Sequence, residues 1–213
     1  MSVYYGVGLY SQTKREAHLR LLESAYGYNW KLVGGKEIPT DRADSEEGEF
    51  EFDDDGNLYA TVRHEMSGGS VCRAPRNDLS NWQCKFTQYK YDSALMFRHG
   101  GEFYVIARRN VDGPYNKNSL LIPPAWRSKY YLVRYSLTRK RTALYRLDTE
   151  KLALIPILDF PSRGDTAYAG IVPLEKNKYL VVNYSSDPQK FDWNWIGGQL
   201  AGSNLYSTVL EFK

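Results

Sequence analysis

Glu47-Gly-Glu-Phe-Glu-Phe52 and Asn57-Leu-Tyr-Ala-Thr-Val-Arg63, joined by Asp53-Asp-Asp-Gly56, decide how this chain folds. Apolar residues recur at alternate positions on both sides of a glycine-containing turn, the pattern of two antiparallel strands in a hairpin. The second half of that hairpin returns along the chain. Val3-Tyr-Tyr-Gly-Val-Gly-Leu-Tyr-Ser11, Glu102-Phe-Tyr-Val-Ile-Ala-Arg108 and Lys178-Tyr-Leu-Val-Val-Asn-Tyr184 read alike. The last two follow the turns His99-Gly-Gly101 and Glu175-Lys-Asn177, each preceded by a further strand-like run, Ser93–Arg98 and Tyr168–Leu174.

Outer strand pairs follow the hairpins. Leu19–Ser24 turns into Tyr28–Val33, Ser70–Ala74 into Trp82–Phe86, and Arg141–Leu147 into Ala153–Leu158. The repeats are spaced by roughly 45–50 residues, the period of a four-stranded propeller blade. The expectation is an all-β chain forming one domain over residues 1–213, a β-propeller with about three and a half to four blades and an incomplete ring. A β-sandwich of generic hairpins is the competing architecture, but it does not require the same four-strand unit to recur. The first repeat starts mid-blade, with no strand before Val3. Helix is expected at most as one turn within Thr13–Arg20, and Val111–Ser128 reads as an inserted loop rich in Pro, Asn and Gly.

Composition narrows the function. The 213 residues are 42% hydrophobic and 15% aromatic, with 18 tyrosines, which favours strands and sugar-facing surfaces. The formal charge of +3 and the scattered arginines argue against a nucleic-acid partner. No apolar run reaches the roughly 18–20 residues of a membrane span. The N-terminus has no basic stretch ahead of a long apolar one, so it is not read as a signal peptide; the chain is cytosolic, or any leader lies upstream. Cys72 and Cys84 flank a turn-rich segment and are either a cross-strand disulfide, which would place the chain outside the cytoplasm, or two buried thiols. The histidines and cysteines lack zinc-ligand spacing, so neither metal nor cofactor is expected.

The candidate chemistry sits in two places. Arg163-Gly-Asp-Thr-Ala-Tyr168-Ala-Gly-Ile-Val172 is a small-residue turn that delivers a tyrosine to a strand, and the Glu47–Arg63 hairpin carries an acid at one end and a guanidinium at the other. With these residues the chain resembles the C-terminal portion of the sialidase superfamily of six-bladed propellers. Ser24-Ala-Tyr-Gly-Tyr-Asn-Trp30 is similar to the family's Asp-box turn, with Tyr26 where aspartate is expected. The resemblance implies that Tyr168 is a nucleophile, Glu47 its base, and Arg63 and Arg141 the grip on an anionic, sialic-acid-like sugar, with Asp92, Arg108 and Asp165 lining the pocket. Arg134, Arg139 and Arg146 are rivals to Arg141, and Glu65 and Arg73 are weaker lining candidates.

The residue types suit that chemistry. An anomeric carboxylate would repel a carboxylate nucleophile but not a neutral tyrosine, whose ordinary pKa near 10 calls for an adjacent base. Paired guanidinium hydrogen bonds suit the substrate carboxylate. The family's first arginine and its acid/base aspartate have no counterpart here, and no Phe-Arg-Ile-Pro-like segment is present. Missing acid assistance typically costs about 10²–10⁴ in rate.

Each residue has a plainer reading: Tyr168 as a core tyrosine, Glu47 as part of a solvated acidic turn, Asp92 as a turn cap. Of Arg108 and Arg109, one points inward and the other outward. Phe191-Asp-Trp-Asn-Trp195 is an aromatic loop that stacks on sugar or forms an ordinary cluster. The expected function is therefore a sialidase-like exo-glycosidase or its remnant. The alternative is a non-catalytic glycan-binding or structural module, self-associating or completed by a partner chain.

Overall fold

The computed structural model describes residues 4–13, 16–38, 44–114 and 122–213. Four antiparallel sheets follow one another along the chain. The first holds β1 (Tyr4–Thr13), β2 (Glu16–Ser24) and β3 (Lys31–Leu32). The second holds β4 (Ser45–Phe52), β5 (Leu58–His64), β6 (Gly68–Ala74) and β7 (Gln83–Thr87). The third holds β8 (Asp92–His99), β9 (Glu102–Asn110), β10 (Lys140–Asp148) and β11 (Ala153–Asp159). The fourth holds β12 (Arg163–Glu175), β13 (Lys178–Ser186) and β14 (Asn204–Glu211). Within each sheet the strands lie side by side in chain order. The three look-alike segments become β5, β9 and β13, the second strands of three separate sheets, which is the arrangement of propeller blades.

The cores show why alternation along these strands builds blades. On β5, Leu58, Ala60 and Val62 pack toward the first sheet with Leu19, Leu21 and Trp82, while Tyr59 packs toward the third with Phe103 and Val105. On β9, Val105 and Ala107 join that second cluster, whereas Ile106 faces the fourth sheet with Leu144, Val181 and Leu210. Both faces of the middle sheets are therefore buried, each parity of the strand feeding a different inter-blade core.

β4, β8 and β12 are the inner strands and pack against one another. The Ile38 N–H donates to the Leu19 carbonyl on β2 (2.8 Å), as the Phe160 N–H donates to Thr142 on β10 (2.9 Å). β2 thus holds the place of a third strand, and β1–β3 correspond to the second, third and outermost strands of a blade. The mid-blade start read from sequence agrees with this, although Val3 lies outside the described residues.

Two expectations need correction. Glu16–Arg20 is strand rather than a helical turn, because Leu19 and Leu21 are required at alternate positions in the first inter-blade core. The segment inside Val111–Ser128 is not all loop: α1 runs Pro124–Ser136, with proline at its start and Tyr131 and Tyr135 buried four apart; residues 115–121 lie outside the description. Trp126, Tyr130 and Val133 face outward, so it lacks a clear apolar stripe on its core side. A second helix, α2 (Trp195–Ala201), packs on the start of β12, where a Cβ on Gly198 would sit 2.1 Å from the Asp165 nitrogen.

Cys72 and Cys84 form a disulfide between directly paired residues of β6 and β7. A closed loop of this size restricts the unfolded chain by about 3 kcal/mol in the chain-entropy account. Cys72→Ser is expected to lower unfolding free energy by about 2–3 kcal/mol, read from denaturant titrations of the oxidised protein and the variant side by side.

Candidate functional site

The inner strands each break register near one end. The shifts fall between Ser45 and Glu47, between Asp92 and Leu95, and between Ala167 and Gly170. Such bulges re-aim side chains, here around the propeller axis. Two of them hold non-glycine residues in left-handed backbone, Ser93 (φ 50°) and Tyr168 (φ 48°), a conformation that costs of order 1–3 kcal/mol and persists only where surroundings enforce it. Between the bulges lies a cavity of about 340 Å³ whose walls include Glu47, Glu49, Thr61, Arg63, Ser93 and Tyr168. The Tyr168 ring is 65% exposed, so it is a rim residue and not a core tyrosine.

Behind the cavity a chain of alternating charge crosses three sheets. Glu47 pairs with Arg63 directly across the β4–β5 ladder, and Asp92 with Arg108 across β8–β9. Arg63 Nη1 donates to Glu47 Oε1 at 2.5 Å, and its Nε lies 2.9 Å from Asp92 Oδ1 in the next sheet. Glu65 also binds Arg63, and Glu46 stands 3.6 Å away. Asp92 is fully buried, with Arg108 Nε at 3.4 Å and Lys90 Nζ at 3.9 Å; Lys90 also donates to Glu65 at 3.0 Å. Arg108 continues to Asp165 at 3.8 Å and lies 5.2 Å from the Trp195 ring centre. Asp165 in turn accepts from Trp195 Nε1 (2.8 Å) and the Tyr184 hydroxyl (3.1 Å).

Titration follows from these contacts. Burial opposes the Arg63 charge, but Asp92, Glu47, Glu65 and Glu46 outweigh it and raise its pKa further above the usual arginine value. Burial, reinforced by Glu65, raises Glu46 above the usual carboxylate range against the pull of Arg63 and Lys90. Burial first, then Asp165, pushes Tyr184 up to about 12.

Of the residues singled out from sequence, Glu47, Arg63, Asp92, Arg108 and Asp165 form this one chain, and Tyr168 shares a cavity with Glu47 and Arg63. Glu47 is engaged twice, by Arg63 and by the Ser93 N–H (3.0 Å). Arg141 is held elsewhere, clamped on Asp192 through both terminal nitrogens at 2.9 and 2.7 Å. Arg73 binds Gln83 on the outer strands. Sequence reading passed over Glu46 and Lys90; the alternation Lys90-Tyr-Asp92 was the available signal for the latter. Among the described residues no group of three His, Cys, Asp or Glu could hold a metal ion, and no helix is long and apolar enough to cross a membrane.

The blades and the bulged inner strands define a β-propeller fold. Solved structures share it. Over 99% of this chain it matches half of a Dyadobacter fermentans protein of unknown function, at 15% identity and a TM-score of 0.63. An endo-arabinase from Bacteroides thetaiotaomicron matches at 11% identity (TM-score 0.53), and an α-L-arabinanase from Cellvibrio cellulosa, complexed with arabinohexaose, at 8% (TM-score 0.50); each alignment covers 99% of this chain and 71% of the other. No family model matches the chain, and the search of curated proteins found no match. The shared property is the β-propeller fold, and it is not specific to sialidases.

Proposed function

We propose that this chain is a carbohydrate-binding propeller whose axial cavity takes a neutral sugar, with Tyr168 as its stacking platform. The observation that carries this reading is the charge chain. Every guanidinium near the cavity already faces carboxylates, and Glu46, Glu47, Glu65 and Asp92 outnumber Arg63, Lys90 and Arg108 around it. A sialic-acid carboxylate entering there would meet net negative charge and no free arginine, whereas a neutral sugar meets an exposed aromatic ring and hydrogen-bonding walls. The arabinan-processing propellers named above support a pentose polymer as the first ligand to test. Arabino-oligosaccharides are expected to bind in calorimetry and sialyllactose not to bind. Tyr168→Ala should weaken binding about tenfold, since an aromatic stacking contact is worth roughly 1–1.5 kcal/mol. Tighter binding of the sialoside would overturn the reading.

One observation favours hydrolysis as a second reading: Tyr168 and Glu47 face the same cavity. Tyr168→Phe separates the two. It keeps the ring and hence binding, but removes the hydroxyl that a tyrosine nucleophile needs, so it would abolish turnover of an activated aryl sialoside. Wild-type protein inert toward an activated aryl arabinoside and an activated aryl sialoside alike leaves binding as the function.

A further inference from the structure

Helix α1 turns apolar side chains toward solvent. Trp126 and Val133 are 63% and 61% exposed, and Tyr130 and Leu137 are exposed with them. At about 100° per residue these four fall within an arc of about 60°, a single stripe along the helix and its C-cap. Tyr131 and Tyr135, both buried, lie on the opposite side and hold α1 to the body of the protein. The Tyr135 ring centre is 3.6 Å from Lys140 Nζ on β10 and 6.4 Å from that of Trp195 on α2.

Cations flank the stripe. On the same helical wheel Lys129 runs along one side of it, and Arg127 and Arg134 along the other. Lys129 Nζ stands 5.6 Å from the Trp126 ring centre, and Arg127 Nε donates to the Ile122 carbonyl at 2.8 Å. Among the described residues none of these three cations has a carboxylate partner, whereas Arg98, Arg109, Arg139 and Arg141 each do. The sequence supplies none close by, because no Asp or Glu occurs between Asp112 and Asp148.

An aromatic and aliphatic stripe between rows of unneutralised cations is complementary to anionic headgroups lying over an apolar layer. Trp and Tyr favour that boundary because their rings are apolar with a polar edge. Lys and Arg stems can lie along apolar surface while their charged ends reach phosphate. With 13 residues α1 is about 20 Å long, short of the roughly 30 Å hydrocarbon layer, so it suits the plane of the interface and not a span.

We propose that α1 is a membrane-surface element that docks the propeller on an anionic bilayer, with Trp126, Tyr130, Val133 and Leu137 entering the headgroup layer. The inference does not rest on what the axial cavity binds, and its test reads lipid and not sugar.

The whole chain is sedimented with vesicles of phosphatidylcholine alone or of phosphatidylcholine with phosphatidylglycerol. Binding is expected to the anionic vesicles, at least tenfold weaker to the neutral ones, and to decline as salt is added. Lys129→Ala should weaken it about fivefold, the share of one basic residue near an anionic surface. Trp126→Ser should weaken it about tenfold or more, and Val133→Asp should abolish it. Both positions are exposed, so these variants should melt with the wild type, which shows that the loss is local. No sedimentation with anionic vesicles, equal binding to neutral ones, or binding retained by both Trp126→Ser and Val133→Asp would each overturn the assignment. Light scattering without lipid tests the competing occupant. Association of copies that Val133→Asp disperses, with no vesicle binding, would give the stripe to a second copy of this chain instead.

Discussion

Arg63→Ala is expected to destabilise the protein by about 3–5 kcal/mol, the usual cost of removing one partner from a buried ion-pair network. The Arg63 side chain is only 14% exposed and is the cation common to Glu46, Glu47, Glu65 and Asp92. Without it, Glu46, Glu47 and Glu65 are left close together with Lys90 as the remaining cation on Glu65. Asp92, fully buried, retains Lys90 at 3.9 Å and Arg108 at 3.4 Å, neither as close as Arg63. The contact that ties the second sheet to the third near the axis also disappears. In a domain of this size the loss corresponds to a fall in melting temperature on the order of 10 °C. Arg98→Ala is the control. Arg98 also makes a two-point pair, with Asp54 at 2.8 and 2.7 Å, but Asp54 is 84% exposed, and surface pairs contribute about 0–1 kcal/mol. Calorimetric melts of the two variants should therefore separate clearly; a shift in Arg63→Ala as small as that in Arg98→Ala would show that the charge chain does not hold the blades together.

Strand pairing was legible because it is local. Period-2 alternation beside Asp-Gly and Gly-Gly turns sets both the strands and their register, and aligning the repeats puts Arg63 and Arg108 at equivalent ends of β5 and β9. Glu47 opposite Arg63 follows from the same hairpin arithmetic. The contact from Arg63 to Asp92 was not legible, because it depends on how one blade rotates against the next and on bulges that no residue pattern announces. Helix α1 was hidden for a different reason. Its opening Pro123-Pro124 reads as loop, and only Tyr131 and Tyr135 commit to the core. Arg141 came from family likeness rather than from this chain, and its partner Asp192 sits 51 residues away on the approach to α2.

Raising the pH from 7 toward about 9.5 is expected to stabilise the protein, with Lys140 responsible. Its side chain is fully buried, and Nζ is surrounded by the Asn110 carboxamide oxygen at 2.6 Å, the Thr138 hydroxyl at 2.5 Å and the Tyr135 carbonyl at 2.5 Å, over the Tyr135 ring at 3.6 Å. These acceptors satisfy the ammonium protons but bring no full charge. Burial pulls the Lys140 pKa down to about 7 from 10.5; Asp92 opposes the fall, Arg108 and Lys90 add to it, and Asp112 opposes it. For a base depressed on folding, the unfolded chain holds the extra proton between the two pKa values, so stability increases with pH across that window and the cost is complete below the folded value. A shift of this size corresponds to about 4–5 kcal/mol over the full span. The usable window closes near pH 10, where tyrosines in the unfolded chain begin to ionise while Tyr91, raised to about 12 by burial, does not, and that difference acts in the opposite direction. Lys140→Met removes the titration and leaves the surrounding oxygens without a donor, at a cost of about 1–3 kcal/mol. Denaturant unfolding at a series of pH values should therefore give a rising curve for the wild type, and a lower, flatter one for Lys140→Met. A wild-type curve that falls between pH 7 and 9, or a slope unchanged in the variant, would mean that Lys140 keeps its proton, held by the oxygens of Asn110, Thr138 and Tyr135 despite its burial.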